Sequence, residues 1–458
     1  MTAIYQDPSQ PIAARVSDLI AQMTLAEKVG QMIQLPALGD DYESYIERYN
    51  IGSYLHCMGE KAVRLQALNN EKSRLKIPLI YGIDAIHGHC FEDEMTVFPV
   101  QLAQACSWHP PLAKAIGEVT AREARSGGLH WTFSPVLCMG RDPRWGRTSE
   151  TFGEDTLLVS DFAAATTEGY QNDEWPMAAC AKHYAVYGEA RGGRDSTDVH
   201  TSEREMRNIF LPSFERQARM GCKTFMVGYQ SINGIPCSAN TWLMNDVLRD
   251  EWGFEGVAVT DWNNVGQMLT LQKAAPNLKE ALAQCLEASN DIFMMTPEVF
   301  EHMQELVAEG RVSEARIDES VTRILRLKFE LGLFDNYEIP DRAQLLQDDT
   351  RWQLAEEAAE QTLTLVRNNG VLPLNAKEPT KILLVGDSAS SVFNTLGDWS
   401  FVPGGPTGPQ DIKHTKATIT LLKALENYAG NFTLTYAASE DCSLSLIHIS
   451  EPTRRHLI

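Results

Sequence analysis

The feature that most restricts what this chain can fold into is an alternation of two patterns. Short apolar runs rich in β-branched and aromatic residues recur as IGSYL (51–55), IPLIYGIDA (77–85), WTFSPVL (131–137), AACAKHY (178–184), KTFMVGY (223–229), GVAVTDW (256–262) and DIFMM (291–295). Each is too short for a stable helix and is apolar at successive positions, as strands buried on both faces of a parallel sheet are. Between them lie PPLAKAIGEVTAREARS (110–126), SEREMRNIFLPSFERQARM (202–220) and LKEALAQCLEAS (278–289), with apolar residues three or four apart. Strand and helix alternate over about 300 residues, so the expected class is α/β, and the expected architecture a (β/α)8 barrel of the TIM type.

At 458 residues the chain exceeds one ordinary core, and two domains are expected. The helix RIDESVTRILRLKFELGLF (316–334) closes the first unit, giving a barrel domain over residues 1–345. The polar stretch that follows reads as a linker over 346–360. A second, incomplete α/β sandwich domain is expected over 361–442, with strands in TLTLVRNN (362–369), KILLVGDSA (381–389) and FTLTYAA (432–438) and a helix through TKATITLLKALENYA (415–429). LSLIHISEPTR (444–454) resembles the translation of a sequencing-adapter read, so 443–458 is set aside as non-native and the natural gene is expected to continue.

Charge narrows the partners. With 40 Lys+Arg against 61 Asp+Glu the formal net charge is −21, which disfavours nucleic acid and anionic membranes and suits neutral substrates. No run approaches the length of a membrane span, and the opening residues have no basic segment leading into an apolar one, so a cytoplasmic location is expected. The nine cysteines (57, 90, 106, 138, 180, 222, 237, 285, 442) lack C-x-x-C spacing and read as reduced core residues. HGHCFEDE (87–94) carries two His, one Cys and three acids, but spacing this dense seldom converges on one ion, and no metal is expected. GDSAS after KILLV is followed by no phosphate-binding glycine pattern, so no cofactor is indicated.

In such a barrel the reacting groups come from the carboxyl ends of the strands. Asp84, Lys182, His183, Tyr229, Asp261 and Trp262 all fall there, and GRDPRWGR (140–147) leaves the third of the runs above. Asp261 ends the apolar GVAVT and is either a cap for the next helix or a carboxylate held at the mouth in reach of a sugar C1. Lys182 and His183 are adjacent, so both reach one ligand only if the strand breaks there. Asp84 can accept hydrogen bonds from vicinal hydroxyls and Arg147 can offer a fork of donors.

GIDAIHGH (82–89), GRDPRWGRTSETFGED (140–155), AKHYAVYGEARGGRD (181–195), MVGYQSING (226–234) and GFEGVAVTDW (253–262) resemble, in order, the barrel motifs of the family 3 glycoside hydrolases, over residues 10 to 440. The resemblance implies a retaining β-glycosidase of the β-glucosidase branch that removes terminal non-reducing β-D-glucosyl residues from oligosaccharides or glucosides. It implies Asp261 as nucleophile, with Asp84, Arg147, Lys182, His183, Met226, Tyr229 and Trp262 around the sugar. The K-H-F-P-G-H-G form of the N-acetylglucosaminidase branch is missing. The family's acid/base glutamate comes from the second domain and is expected not to be present in this chain, which would impair it. Two readings compete within carbohydrate chemistry: a β-xylosidase or α-arabinosidase of the same family, and a barrel that binds oligosaccharide without cleaving it. A metal-dependent hydrolase using His87, His89 and Cys90 is the third.

Overall fold

Eight short parallel strands carry the first part of the chain in a computed structural model that describes residues 3–92, 94–335, 339–400, 419–428 and 430–438. They are β1 Ile33–Pro36, β2 Ser53–Leu55, β3 Ile80–Ile83, β4 Trp131–Thr132, β5 Cys180–Tyr184, β6 Thr224–Val227, β7 Val257–Thr260 and β8 Phe293–Met294. One parallel sheet runs β8-β1-β2-β3-β4 and a second β5-β6-β7. Apart from Pro36 every residue of these strands is buried, because helices cover them, and each fully buried Val, Ile or Leu contributes about 1.5–3 kcal/mol.

Seven of the eight strands lie inside the apolar runs read from the sequence. The other, β1, contains Gln34 and ends in Pro36, which weakens its strand pattern. Gln34 is nonetheless fully buried, its Nε2 donating to Ser53 Oγ at 2.7 Å across the β1–β2 pair.

The helices begin where their caps allow. Thr24 and Glu27 form a reciprocal capping box at Leu25–Gln31, and Asp155 and Ser313 accept from backbone amides at the starts of Thr156–Tyr170 and Glu314–Glu330. Pro110–Ser126 packs against Thr156–Tyr170 through two glycines: a Cβ on Gly169 would lie 2.3 Å from Lys114 O, so that crossing requires glycine.

The linker expected over 346–360 is corrected by the helix Thr350–Thr362. Its Ala358 packs with Phe98, Leu112 and Ile116, and its buried Arg351 donates to Glu123 Oε1 at 3.0 Å. Polarity along this stretch therefore belongs to a helix with one buried stripe and a buried ion pair, and the first compact unit, Met1–His89 with Phe98–Thr362, runs past residue 345. Leu363–Asn368 of the expected strand TLTLVRNN form no regular element.

The second compact unit comprises Cys90–Val97 and Leu363–Ile458. In it β9, Thr380–Val385, pairs in parallel with β10, Phe432–Ala437, over six positions. Residues half-buried and exposed alternate along both strands for most of their length, and Leu383 is 65% exposed. The helices Val392–Leu396 and Leu421–Asn427 belong to this unit, while the tail over 443–458 lies outside the described residues. Among the described residues no helix is long and apolar enough to cross a membrane. Of the eight described cysteines seven are buried, and Cys106 is exposed.

Candidate functional site

The carboxyl ends of β3, β5, β6 and β7, with the loop after β4, bring seven of the eight residues singled out above into hydrogen-bonded or backbone-linked contact. Asp84 follows β3 and accepts from Lys182 Nζ at 2.8 Å through Oδ1, while its Oδ2 lies 3.7 Å from His56 Nε2. Asp261 follows β7. Its Oδ1 accepts from the Tyr229 hydroxyl at 2.8 Å and from the Trp262 backbone amide at 2.7 Å, and its Oδ2 has no hydrogen-bond partner among the described residues.

These contacts bear on the capping reading of Asp261. The helix Asn264–Thr270 is preceded by Asn263 and has no side-chain cap, so the Asp261 carboxylate is not spent on a helix end. It is buried, and burial raises its pKa against the opposing pull of Arg147 and Lys182. A desolvated carboxylate with one oxygen held by two donors and the other unbonded is preorganised to attack a carbon electrophile through the second.

Lys182 and His183 are adjacent in β5, yet both face the mouth. The pairing register of β5 on β6 slips between Ala181 and Tyr184, which breaks the alternation of faces. His183 Nε2 lies 3.1 Å from Arg147 Nη2 and 3.5 Å from Asp261 Oδ2. The second approach is no ion pair: burial first, then Arg147 and Lys182, push the His183 pKa well down and keep the ring neutral.

Arg147 departs from the sequence reading in one respect. Its fork is not wholly free for a ligand, because Nε and Nη2 donate to the two oxygens of Glu150 at 2.7 and 2.9 Å. Burial opposes its charge, and Glu150 outweighs that to hold the guanidinium pKa well above its ordinary value. Met226 sits buried within β6, opposite Val259, and Trp262 joins the cluster through its backbone.

Several members went unnamed in the sequence. Tyr187 packs edge-on to His183 with ring centroids 4.9 Å apart, lies 5.1 Å from Trp145 and donates to Asp195 Oδ1 at 2.6 Å. Glu150 and Cys138 touch Arg147 and His183. Tyr187 and Glu150 lie inside segments already marked as chemical, and the three-residue step from Arg147 to Glu150 was the available signal. A cavity of about 560 Å³ lined by Tyr5, Gln66, Tyr81, His130 and Phe334 includes none of the site residues. Among the described residues no three His, Cys, Asp or Glu side chains are grouped to hold a metal.

Comparison with known proteins adds an independent line. Residues 24–327 match the family described as Glycosyl hydrolase family 3 N terminal domain. The chain is 34% identical to the lysosomal beta glucosidase of Dictyostelium discoideum, over 93% of this chain and 57% of that protein. Its fold superposes with a TM-score of 0.87 and 42% identity on a β-glucosidase involved in saponin metabolism from intestinal bacteria, covering 94% of this chain and 57% of that one. The β-glucosidase of Listeria innocua in complex with glucose gives 0.82 and 33%, over 93% and 60%. The chain thus spans a little over half the length of these relatives.

Proposed function

The chain belongs to glycosyl hydrolase family 3, and from that premise we propose that it acts as a retaining β-glucosidase whose nucleophile is Asp261. The observation that carries the reading is the asymmetry of the Asp261 carboxylate: Oδ1 is held by Tyr229 and Trp262, and Oδ2 is unbonded. In the proposed reaction Oδ2 attacks the anomeric carbon of a terminal non-reducing β-D-glucosyl unit. The aglycone oxygen leaves with the electron pair of the broken C–O bond, as a stabilised aryloxide from an activated glucoside, and water then releases the sugar from the aspartyl ester with overall retention.

Asp84 would accept from sugar hydroxyls, with Lys182 and Arg147 donating and Trp262 and Met226 bounding the ring. Neutral His183 adds a polar edge without competing charge. Of the other carboxyls in this cluster, Asp84 is paired with Lys182, and Glu150 is clamped by Arg147. Neither is suited to protonate a leaving group, so substrates that need no acid, such as activated aryl glucosides, are expected to turn over best; general acid catalysis contributes ~10²–10⁴-fold where it operates.

We also read the eight strands as a closed (β/α)8 barrel. Isolated parallel bridges support this, Trp131 to Ala178 between β4 and the approach to β5, and Val259 to Ile292 between β7 and the approach to β8. The parallel pair β9–β10 supports a separate α/β domain after residue 362.

The test is intact mass after incubation with an activated 2-deoxy-2-fluoro-glucoside, followed by peptide mapping. A stoichiometric adduct on the peptide containing Asp261 is expected. A folded protein that hydrolyses aryl glucosides with no such adduct, or with it on another carboxylate, would sink the assignment.

A further inference from the structure

We infer that Cys138 is a positioning residue: its sulfur sets the tautomer of His183 and so keeps Asp261 Oδ2 free of any hydrogen bond. The inference rests on the nucleophile assigned above. A guanidinium only donates, so the 3.1 Å contact from Arg147 Nη2 requires a lone pair on His183 Nε2. The ring is neutral, held so by burial and by Arg147 and Lys182, so its single proton sits on Nδ1.

Nδ1 lies 3.4 Å from Cys138 Sγ, and the backbone amide of His183 donates to the same sulfur at 3.3 Å. One atom thus accepts twice from one residue and fixes both ring plane and main chain. Cys138 is buried, and burial pushes its thiol up to about 12, so the sulfur accepts as a thiol and carries no charge.

The consequence falls on the nucleophile. Nε2 stands 3.5 Å from Asp261 Oδ2 but has no proton to give, which accounts for the unbonded Oδ2. With the proton on Nε2 instead, the imidazole would lose the Arg147 bond and donate to Oδ2, tying up the lone pairs that attack. The charged and titratable groups facing the ring are Arg147, Lys182, Asp261, Cys138 and Tyr187. Among the described residues the hydrogen-bond partner of Nδ1 is Cys138 Sγ.

The experiment compares Cys138→Val, an apolar side chain with no acceptor, and Cys138→Ser, which restores one. Two readouts are taken on the full chain: the rate of Asp261 labelling by the activated fluoro-glucoside across pH, and the ¹⁵N shifts of histidine-labelled protein, with His183 identified through His183→Gln. Cys138→Val is expected to slow labelling by about tenfold, the worth of one orienting hydrogen bond, and to move the acidic limb of the pH profile. Its His183 is expected to lose the Nδ1-protonated pattern, and Cys138→Ser to recover most of both.

A wild-type His183 protonated on Nε2 overturns the inference, as does a Cys138→Val protein with unchanged tautomer and labelling rate. An unlabelled wild type whose His183 keeps the Nδ1 proton would instead sink the nucleophile assignment and leave the tautomer role supported.

Discussion

Strands β5 to β7 and strands β9 and β10 are both parallel and both mostly apolar, yet they are buried differently. All residues of β5, β6 and β7 are buried, whereas β9 alternates, with Leu383 and Val385 exposed. A strand covered on both faces can hold ionisable groups at its end in a dry, fixed setting, as Asp261 is held. A strand covered on one face supplies less burial and no such setting. Apolar composition makes a strand, but the covering layers make a site.

The largest expected effect tests that contrast in activity. Asp261→Asn should lower turnover of an activated aryl glucoside by roughly 10⁴-fold or more, since the covalent route is removed. Leu383→Asp on the exposed side of β9 should leave turnover within about twofold. If Leu383→Asp were as damaging in kinetic assays of folded protein, the contrast would break, because that face would then support the site.

Stability sharpens it next. Phe225, wholly buried in β6, is expected to cost about 3–5 kcal/mol on truncation to Ala, from lost transfer energy and the cavity left behind. Leu383→Ala should fall within ~0.5 kcal/mol, as surface substitutions do. Urea unfolding of both variants gives the comparison directly, and equal losses would mean that β9 is covered on both faces.

The smallest effect depends on pH and concerns a charge buried in the first unit. Lys328 Nζ donates to Gln31 Oε1 at 2.7 Å and Gly52 O at 2.8 Å, and burial lowers its pKa to about 7. An unfolded lysine titrates near ~10.4, so between those values the unfolded chain holds a proton that the folded chain lacks. Stability should therefore rise with pH across that window and fall back as pH drops towards 7, on the order of 1 kcal/mol per pH unit. Unfolding free energies at pH 7 and 9 should show this slope in the wild type and a shallower one in Lys328→Met. Equal slopes would remove Lys328 from the account.

How far the sequence could be read differs from element to element. The runs around β2 to β8 were legible because continuous apolar stretches of strand length mark strands buried on both faces. β1 was not, since Gln34 looks polar until its partner Ser53 is in place. The helix Thr350–Thr362 was missed because its few buried positions are scattered among charged ones, and Arg351 is buried only through Glu123. TLTLVRNN had strand composition, but composition does not supply a neighbour to pair with.

At the site the sequence by itself determined which chemical groups stand at the strand ends: Asp84, Lys182, His183, Tyr229 and Asp261 are there because the chain alternates as it does. Tertiary structure alone decided what each is bonded to. Glu150 takes the fork of Arg147, Cys138 takes the imidazole, and Tyr229 takes one oxygen of Asp261. The reason is physical. Where a side chain stands along a strand follows from local periodicity, but its partner depends on strand register and on groups as far apart as the 45 residues between Cys138 and His183, which no local pattern encodes.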